Sequence, residues 1–193
     1  VKAMKAAVTV PVSVKTRLGW KDDTDCLEFV KVLAAAGADL ISMHGRTREQ
    51  GYSGTANWQR VGEARRNAPH VPFLVNGDIT SVDRAQQALA ESGADGVLIG
   101  RGLLGNPWFA RQVETFLRTG ERLPPPSWEE RLATVLEHAH LQVDCYGERG
   151  LVKLRKHLPW YFKGTPAEKA LKPLLVKVST YEELEFLLKN QAV

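Results

Sequence analysis

The feature that most constrains the fold is an alternation of short apolar runs and longer amphipathic stretches over the first 120 residues. The runs are short and rich in β-branched residues, as is typical of strands buried on both faces of a parallel sheet. The stretches between them repeat apolar residues at helical spacing. Because right-handed crossovers join such units, the pattern predicts four βα units in an α/β fold with a parallel sheet. The predicted strands are 10–14, 40–43, 72–75 and 96–99, and the predicted helices are 24–36, 58–67, 81–92 and 107–118.

The pattern changes after residue 120. Three consecutive prolines at 124–126 predict a stiff linker, and Ser127 followed by Glu130 forms a capping box that opens a helix. We expect a second helix that contains Leu151, Leu154 and Leu158 and ends before proline 159, and a last helix that begins after residue 180. The sequence therefore predicts two domains, an α/β domain over 1–120 and an all-helical domain over 121–193.

Composition excludes several classes of protein. Hydrophobic residues make up 44% and charged residues 25% of the chain, which is ordinary for a globular domain. No run of about 18 apolar residues occurs, so a transmembrane helix is not expected. Cys26 and Cys145 lack the spacing of a metal site or a disulfide framework. We expect a cytoplasmic protein with no metal and no membrane partner.

The ends of the predicted strands carry polar and charged residues. In barrels and in open parallel sheets alike, ligands bind at these carboxyl ends. Glycines after the third and fourth strands would let backbone N–H groups approach a phosphate, and an arginine suits the phosphate oxygens. The four ends read Lys15-Thr16-Arg17, His44-Gly45-Arg46-Thr47-Arg48, Asn76-Gly77-Asp78 and Gly100-Arg101-Gly102.

These segments resemble the tRNA-dihydrouridine synthases. The resemblance runs from about residue 8 to at least residue 161. Within the family, the chain most resembles the bacterial branch. It also includes an Asn-Pro-Trp segment at 106–108 and an Arg-Lys-His segment at 155–157, followed by Trp160 and Tyr161. It implies an FMN enzyme on a (β/α)₈ barrel, followed by a helical tRNA-binding domain. The four βα units would then be the second half of the barrel.

The resemblance also implies roles for individual residues. In that family NADPH reduces the flavin, hydride passes to C6 of an extruded uracil, and a cysteine protonates C5. Lys15 would contact the pyrimidine edge of the flavin, and His44 would flank the flavin near the uracil. The group expected to hold the ribityl phosphate is Asn76, Gly77, Asp78, Gly100 and Arg101.

The barrel implied by this family is larger than the α/β region of this chain. A (β/α)₈ barrel needs roughly 200–250 residues, and the βα pattern here ends near residue 120. We therefore expect the chain to be a fragment of a longer enzyme and to be inactive alone. The catalytic cysteine is expected in the N-terminal half, since neither Cys26 nor Cys145 matches its position, and no catalytic residue is assigned in this chain.

Positive charge is concentrated in the helical region. Residues 146–178 contain eight lysines and arginines and two glutamates, whereas the whole chain has a net charge of only +4. Phosphate neutralisation beside aromatic side chains is typical of RNA binding, although a solvated basic helix would give the same pattern. The candidate RNA-binding residues are Arg46, Arg48, Arg149, Lys153, Arg155 and Lys156.

Three functions remain open at this point. The first is flavin-dependent reduction of tRNA uridines to dihydrouridine. The second is another FMN- or phosphate-binding barrel enzyme that acts on a small metabolite, against which the basic helical region argues. The third is a non-catalytic RNA-binding fragment.

Overall fold

A computed structural model describes residues 1–190 of the chain. In this part of the protein, parallel strands form one sheet in the order β1-β2-β3-β4, which confirms the predicted α/β arrangement. Helices alternate with the strands, as the periodicity predicts. The strands are β1 Ser13–Arg17, β2 Leu40–His44, β3 Phe73–Asn76 and β4 Gly96–Leu98. The accompanying helices are α1 Lys2–Ala7, α2 Asp25–Ala35, α3 Trp58–Arg66, α4 Val82–Ser92 and α5 Trp108–Thr119.

The first strand begins three residues later than predicted. Pro11 has no N–H to donate to a neighbouring strand. The N–H of Val12 instead donates to Oδ2 of Asp39 at 2.6 Å. As a result Lys15 and Arg17 lie inside β1 rather than after it. They are two residues apart, so their side chains project from the same face of the sheet.

The two faces of the sheet differ in chemistry. The core of the α/β region includes Ile41, Met43, Phe73 and Val75, all of which are fully buried. These residues alternate along β2 and β3 and share one face. The opposite face carries polar groups in register, because Arg17 lies opposite His44 and His44 lies opposite Asn76. Strand pairing therefore places the candidate site residues side by side.

The helical region is built from five helices over the described residues. Ser127 and Glu130 form the predicted capping box at the start of α6: the Glu130 N–H donates to Ser127 Oγ at 3.1 Å, and the Ser127 N–H donates to the Glu130 carboxylate at 2.8 Å. The five helices share a hydrophobic core that includes Val135, Ala139 and Leu151. Within the described residues, no helix is both long and apolar enough to span a bilayer. The helices are α6 Trp128–Tyr146, α7 Glu148–Leu154, α8 Leu158–Tyr161, α9 Glu168–Leu175 and α10 Tyr181–Lys189.

Two details of the helical prediction were wrong. Leu151, Leu154 and Leu158 do not share one helix, because α7 ends at Leu154 and α8 begins at Leu158. Pro159 does not stop a helix but lies in the first turn of α8, where its missing N–H has no intrahelical acceptor to lose. Helix α9 was not predicted. The predicted cap at Thr180 is present, since its side chain accepts from the Glu183 N–H.

The chain divides into two compact units. The first, here called the α/β unit, contains Val1–Gly102 and Gln112–Glu121. The second, the helical unit, contains Leu103–Arg111 and Arg122–Val193. The structure thus groups residues 103–111 with the helices, whereas the predicted domains 1–120 and 121–193 remain a prediction.

We expect the 193-residue chain by itself to self-associate. Within residues 1–190, β1 and β4 are the outer strands of the sheet. Outer strands present backbone groups with which another chain can pair. Near β1, Trp20 and Val32 are more than 60% exposed and line an apolar cleft of about 580 Å³. Size-exclusion chromatography with light scattering on the isolated chain tests this. A monodisperse monomer that unfolds cooperatively would contradict it.

Candidate functional site

The centre of the candidate site is an ion pair between the buried Arg46 and the partly buried Asp78. The guanidinium donates to both carboxylate oxygens, from Nη1 to Oδ1 at 2.8 Å and from Nη2 to Oδ2 at 2.6 Å. It also donates to the backbone carbonyls of Ser53 at 3.1 Å and Gly54 at 2.6 Å. The side chain of Arg46 is only 2% exposed. The pair therefore joins three separate segments of the α/β unit.

Asp78 is held as a carboxylate. Burial alone would raise its pKa, but hydrogen bonds from Arg46 and from the Ala56 N–H, with the charges of Arg46 and Arg101, lower the pKa below its usual value. Nη2 of Arg101 lies 3.4 Å from Oδ1 of Asp78, the oxygen that also accepts from Nη1 of Arg46. The negative charge of Asp78 is thus balanced by arginines.

Glycine is required at position 77 because the His44 ring packs against it. A Cβ there would lie 2.6 Å from Cδ2 of His44 and 2.8 Å from Cβ of Ala56. The backbone φ of +113° also disfavours any other residue. The Gly77 carbonyl accepts a hydrogen bond from Nε1 of Trp58 at 2.9 Å. The Asn76-Gly77-Asp78 turn therefore fixes the position of His44.

His44 is neutral at physiological pH. Burial and the neighbouring charges of Arg17, Lys15 and Arg46 lower its pKa to about 4, against a smaller opposing effect of Asp78. Nη1 of Arg46 lies 3.3 Å from Nε2 of His44. Because a guanidinium can only donate, Nε2 acts as the acceptor, and this assigns the ring proton to Nδ1. His44 can therefore donate a hydrogen bond without carrying charge.

Cationic side chains and one aromatic ring surround His44. Burial and the charge of Arg17 lower the pKa of Lys15. The Tyr52 ring centroid lies 4.0 Å from the guanidinium carbon of Arg101, 5.9 Å from that of Arg17 and 6.3 Å from the imidazole centroid. We call Lys15, Arg17, His44, Tyr52 and Arg101 the cationic cluster. Its charge suits an electron-rich or anionic ligand.

The remaining predicted residues occupy different surroundings. The Asn76 amide donates to the Leu98 carbonyl at 2.7 Å and so links β3 to β4. Gly100 follows β4, and a Cβ there would have nothing within 4 Å. Arg101 begins a short 3₁₀ helix, Arg101–Leu103, with about half of its side chain exposed. The open backbone at Gly100 beside the Arg101 charge fits the predicted phosphate site.

Arg17 and Tyr52 belong to the site but were not predicted from the sequence. Arg17 was detectable, because it follows Lys15 by two residues in a predicted strand end and must share its face. Tyr52 had no comparable signal, since it lies in an irregular loop after β2. Its position beside His44 depends on the tertiary structure.

A family model described as dihydrouridine synthase matches residues 1–193. The chain belongs to the dihydrouridine synthase family. This membership confirms the resemblance inferred from the strand-end segments, and it agrees with an α/β fold of partial-barrel type followed by helices.

Several relatives carry the same family name. The chain is 44% identical over 194 residues to the probable tRNA-dihydrouridine synthase 1 of Synechocystis sp., covering 100% of this chain and 54% of that protein. It is 44% identical to the probable tRNA-dihydrouridine synthase of Rickettsia bellii, covering 86% and 51%. It is 40% identical to tRNA-dihydrouridine synthase B of Pseudomonas putida, covering 86% and 50%. The chain thus spans about half the length of these relatives.

Two of the predicted RNA-binding arginines have internal partners in this chain. Arg46 is buried against Asp78, and Arg155 donates to the carbonyls of Lys177 and Val178 and to the Ser179 hydroxyl, at 2.6–2.9 Å. Because each guanidinium is already bonded, an RNA contact would have to replace or add to these bonds. The other candidates are exposed: Arg48, Arg149, Lys153 and Lys156.

The two cysteines differ in burial. Cys26 is buried, and burial raises the pKa of its thiol to about 11, so it is a poor acid and a poor nucleophile at neutral pH. Cys145 is exposed in the helical unit. Among residues 1–190 no group of three or more histidine, cysteine or acidic side chains is arranged to hold a metal ion.

Acid is expected to destabilise the fold through His44. Its pKa of about 4 in the folded protein is below the ordinary 6.5, so the folded state binds fewer protons between these values. The contribution of neutral His44 to the free energy of unfolding is therefore fully present above about pH 6.5, and it is lost as the pH drops towards 4. Since a pKa difference of one corresponds to about 1.4 kcal/mol, the free energy of unfolding should fall by up to about 3 kcal/mol. Urea unfolding at pH 7 and pH 4 measures it, and a His44→Gln variant should lack this component.

Proposed function

We propose that this chain forms the cofactor-binding and tRNA-binding part of an FMN-dependent enzyme that reduces uridines in tRNA to 5,6-dihydrouridine, with NADPH as reductant. The observation that carries the proposal is the cationic cluster around neutral His44 at the strand ends of a dihydrouridine synthase. We refer below to the whole enzyme, meaning a polypeptide of the relatives' length that carries these residues.

The charge of the cluster suits FMN. When bound, FMN would supply the hydride that reduces the uracil ring. Lys15 and Arg17 provide fixed positive charge on one face of β1, where it stabilises electron density that builds up on a neighbouring ring. His44 provides a neutral donor whose position is fixed by Gly77. Arg101 and the open backbone at Gly100 would hold the phosphate.

Asn76 and Asp78 have a supporting role in this proposal. Asn76 links two strands, and Asp78 balances Arg46 and approaches Arg101. We infer that these two residues shape the phosphate site rather than contact the phosphate directly. A carboxylate facing a phosphate would repel it, whereas one that orients an arginine assists binding.

The tRNA partner accounts for the exposed basic residues. Arg48, Arg149, Lys153 and Lys156 are available to neutralise backbone phosphates, and each such contact releases condensed counterions. A small metabolite would need no such surface. Cys26 is unsuited to act as the acid for C5 of the uracil, because it is buried with a raised pKa. We place the protonating cysteine elsewhere in the whole enzyme, and we propose that the enzyme acts in the cytoplasm.

Mass spectrometry of tRNA tests the reaction directly. In a strain without the gene, we expect at least one dihydrouridine to revert to uridine, and the whole enzyme should restore it. The purified whole enzyme should also show flavin absorbance. An unchanged dihydrouridine content with a flavin-containing protein would favour a different flavin enzyme. No flavin and no change would favour a non-catalytic RNA-binding role.

A further inference from the structure

A cavity of about 470 Å³ lies within the helical unit, and all of its lining residues belong to that unit. This volume is within the range of about 300–1,000 Å³ that small-molecule sites occupy. Its lining includes no aspartate or glutamate. The polar and aromatic part of the lining consists of His138, Gln142, Tyr146, Lys153, Lys156, His157 and Tyr161.

Two glycines allow α6 and α7, which carry part of the lining, to approach each other closely. Gly147, with φ +63°, ends α6 and turns the chain into α7. Gly150 then lets the two helices approach closely, since a Cβ there would lie 2.1 Å from the Gln142 carbonyl oxygen. The close approach places Nζ of Lys153 at 4.5 Å from the Tyr146 ring centroid. A cation and an aromatic ring are therefore adjacent at the cavity.

The loop before α5 forms another side. Gly105, with φ +67°, packs directly on α8, because a Cβ there would lie 2.2 Å from the carbonyl carbon of Trp160. Leu103 and Leu104, which precede Gly105 in the chain, also line the cavity. This side of the cavity is therefore formed by apolar side chains and backbone. Selection of a ligand would depend on the polar side chains elsewhere in the lining.

The polar groups in the cavity are hydrogen-bond donors and acceptors flanked by two cations. His138 Nδ1 lies 2.9 Å from the Tyr161 hydroxyl, and burial, together with the nearby His157, lowers the pKa of His138. Gln142 adds an amide. Lys153 and Lys156 are exposed and bring positive charge. Such a set matches a ligand with a planar polar ring and an attached anion.

We propose that this cavity binds one unstacked nucleotide of an RNA strand, with its phosphate at Lys153 and Lys156 and its base against Tyr146. The inference rests on the proposed tRNA substrate, and it adds a nucleotide site in the helical unit, separate from the cationic cluster. Tyr146 is 57% exposed, so the cavity opens to solvent and a strand can enter and leave it. Stacking on an aromatic side chain tolerates any base.

The test uses the whole enzyme and two kinds of ligand. The four ribonucleoside 5′-monophosphates are titrated by NMR or calorimetry, and tRNA is then added as a competitor. The variants are Tyr146→Ala, Gln142→Leu and Lys156→Ala. The control is Lys163→Ala, which removes an equal charge from an exposed lysine of the same unit that does not line this cavity.

We expect the wild type to bind the monophosphates weakly and to release them when tRNA is added. Tyr146→Ala should weaken tRNA binding roughly five- to 100-fold, as loss of one stacked base does. Gln142→Leu and Lys156→Ala should weaken monophosphate binding, whereas Lys163→Ala should leave it unchanged. Circular dichroism confirms that each variant folds.

Two results would overturn the proposal. Monophosphate binding that tRNA does not displace would identify a site for a free nucleotide. Absence of monophosphate binding, with unchanged tRNA affinity in folded Tyr146→Ala and Gln142→Leu variants, would show that no nucleotide enters the cavity. Neither measurement requires turnover. A whole enzyme that makes no dihydrouridine but shows the expected competition would refute the proposed function and support this site.

Discussion

Replacing Arg46 with alanine is expected to lower the free energy of unfolding of the whole enzyme by about 3–5 kcal/mol, the range typical for removing one partner of a buried ion pair. The guanidinium is 2% exposed and bonds to Asp78 and to two backbone carbonyls. Its removal leaves the carboxylate without its main partner and the carbonyls of Ser53 and Gly54 without a donor. Urea or thermal unfolding measures the change.

Two further variants separate charge from geometry. Arg46→Lys keeps the positive charge but loses the two parallel hydrogen bonds, so we expect an intermediate loss of stability. Arg118→Ala removes an exposed arginine in the same unit, paired with Glu114 at 3.5 Å, and should change stability by less than about 1 kcal/mol. If Arg46→Ala were as stable as Arg118→Ala, the ion pair would have no structural role.

The parallel sheet and the capped helices could be predicted from the sequence, because both depend on local patterns. Apolar runs of four to five residues between amphipathic stretches allow few other arrangements. Ser127 and Thr180 accept from the N–H groups three residues later, as their sequence spacing indicates. The site could be placed at the strand ends for the same reason, since parallel strands bring those ends together.

The distinction between buried and exposed charges could not be predicted. Arg46 and Arg48 are two residues apart in one segment and look equivalent in the sequence. Arg46 is buried because Asp78, 32 residues away, provides a bidentate acceptor, whereas the exposed Arg48 lies with its guanidinium carbon 5.7 Å from the centroid of the Trp20 ring. The late start of β1 has a similar cause in part: Pro11 is a local signal, but Asp39, the acceptor for the Val12 N–H, is 27 residues away. Long-range partners of this kind leave no local pattern.

The helical unit shows where local signals are ambiguous. Three leucines at 151, 154 and 158 are compatible with one helix, and a proline ordinarily ends a helix. Here Pro159 occupies the first turn of α8, where proline is favoured. The sequence therefore identified the buried residues correctly, since all three leucines belong to the core. It did not identify the break between them.

Lys15→Ala is expected to slow dihydrouridine formation by the whole enzyme roughly 10²- to 10³-fold, as removal of one preorganised electrostatic group does. Lys15 lies inside β1, on the face that carries His44, so its charge acts where electron density changes during the reaction. Arg101→Ala is expected instead to weaken FMN binding and to change the rate at saturating FMN far less. Arg101 is half exposed at the end of β4, where it can anchor a phosphate.

The two roles are separated by measuring affinity and rate on the same variants. Fluorescence titration gives the Kd for FMN, and single-turnover oxidation of the reduced, fully loaded variants by tRNA gives the rate. Lys15→Arg provides a conservative control, because it keeps a positive charge at this position and should recover part of the rate. If Lys15→Ala and Arg101→Ala changed FMN affinity equally and left the single-turnover rate intact, Lys15 would serve only to bind the cofactor.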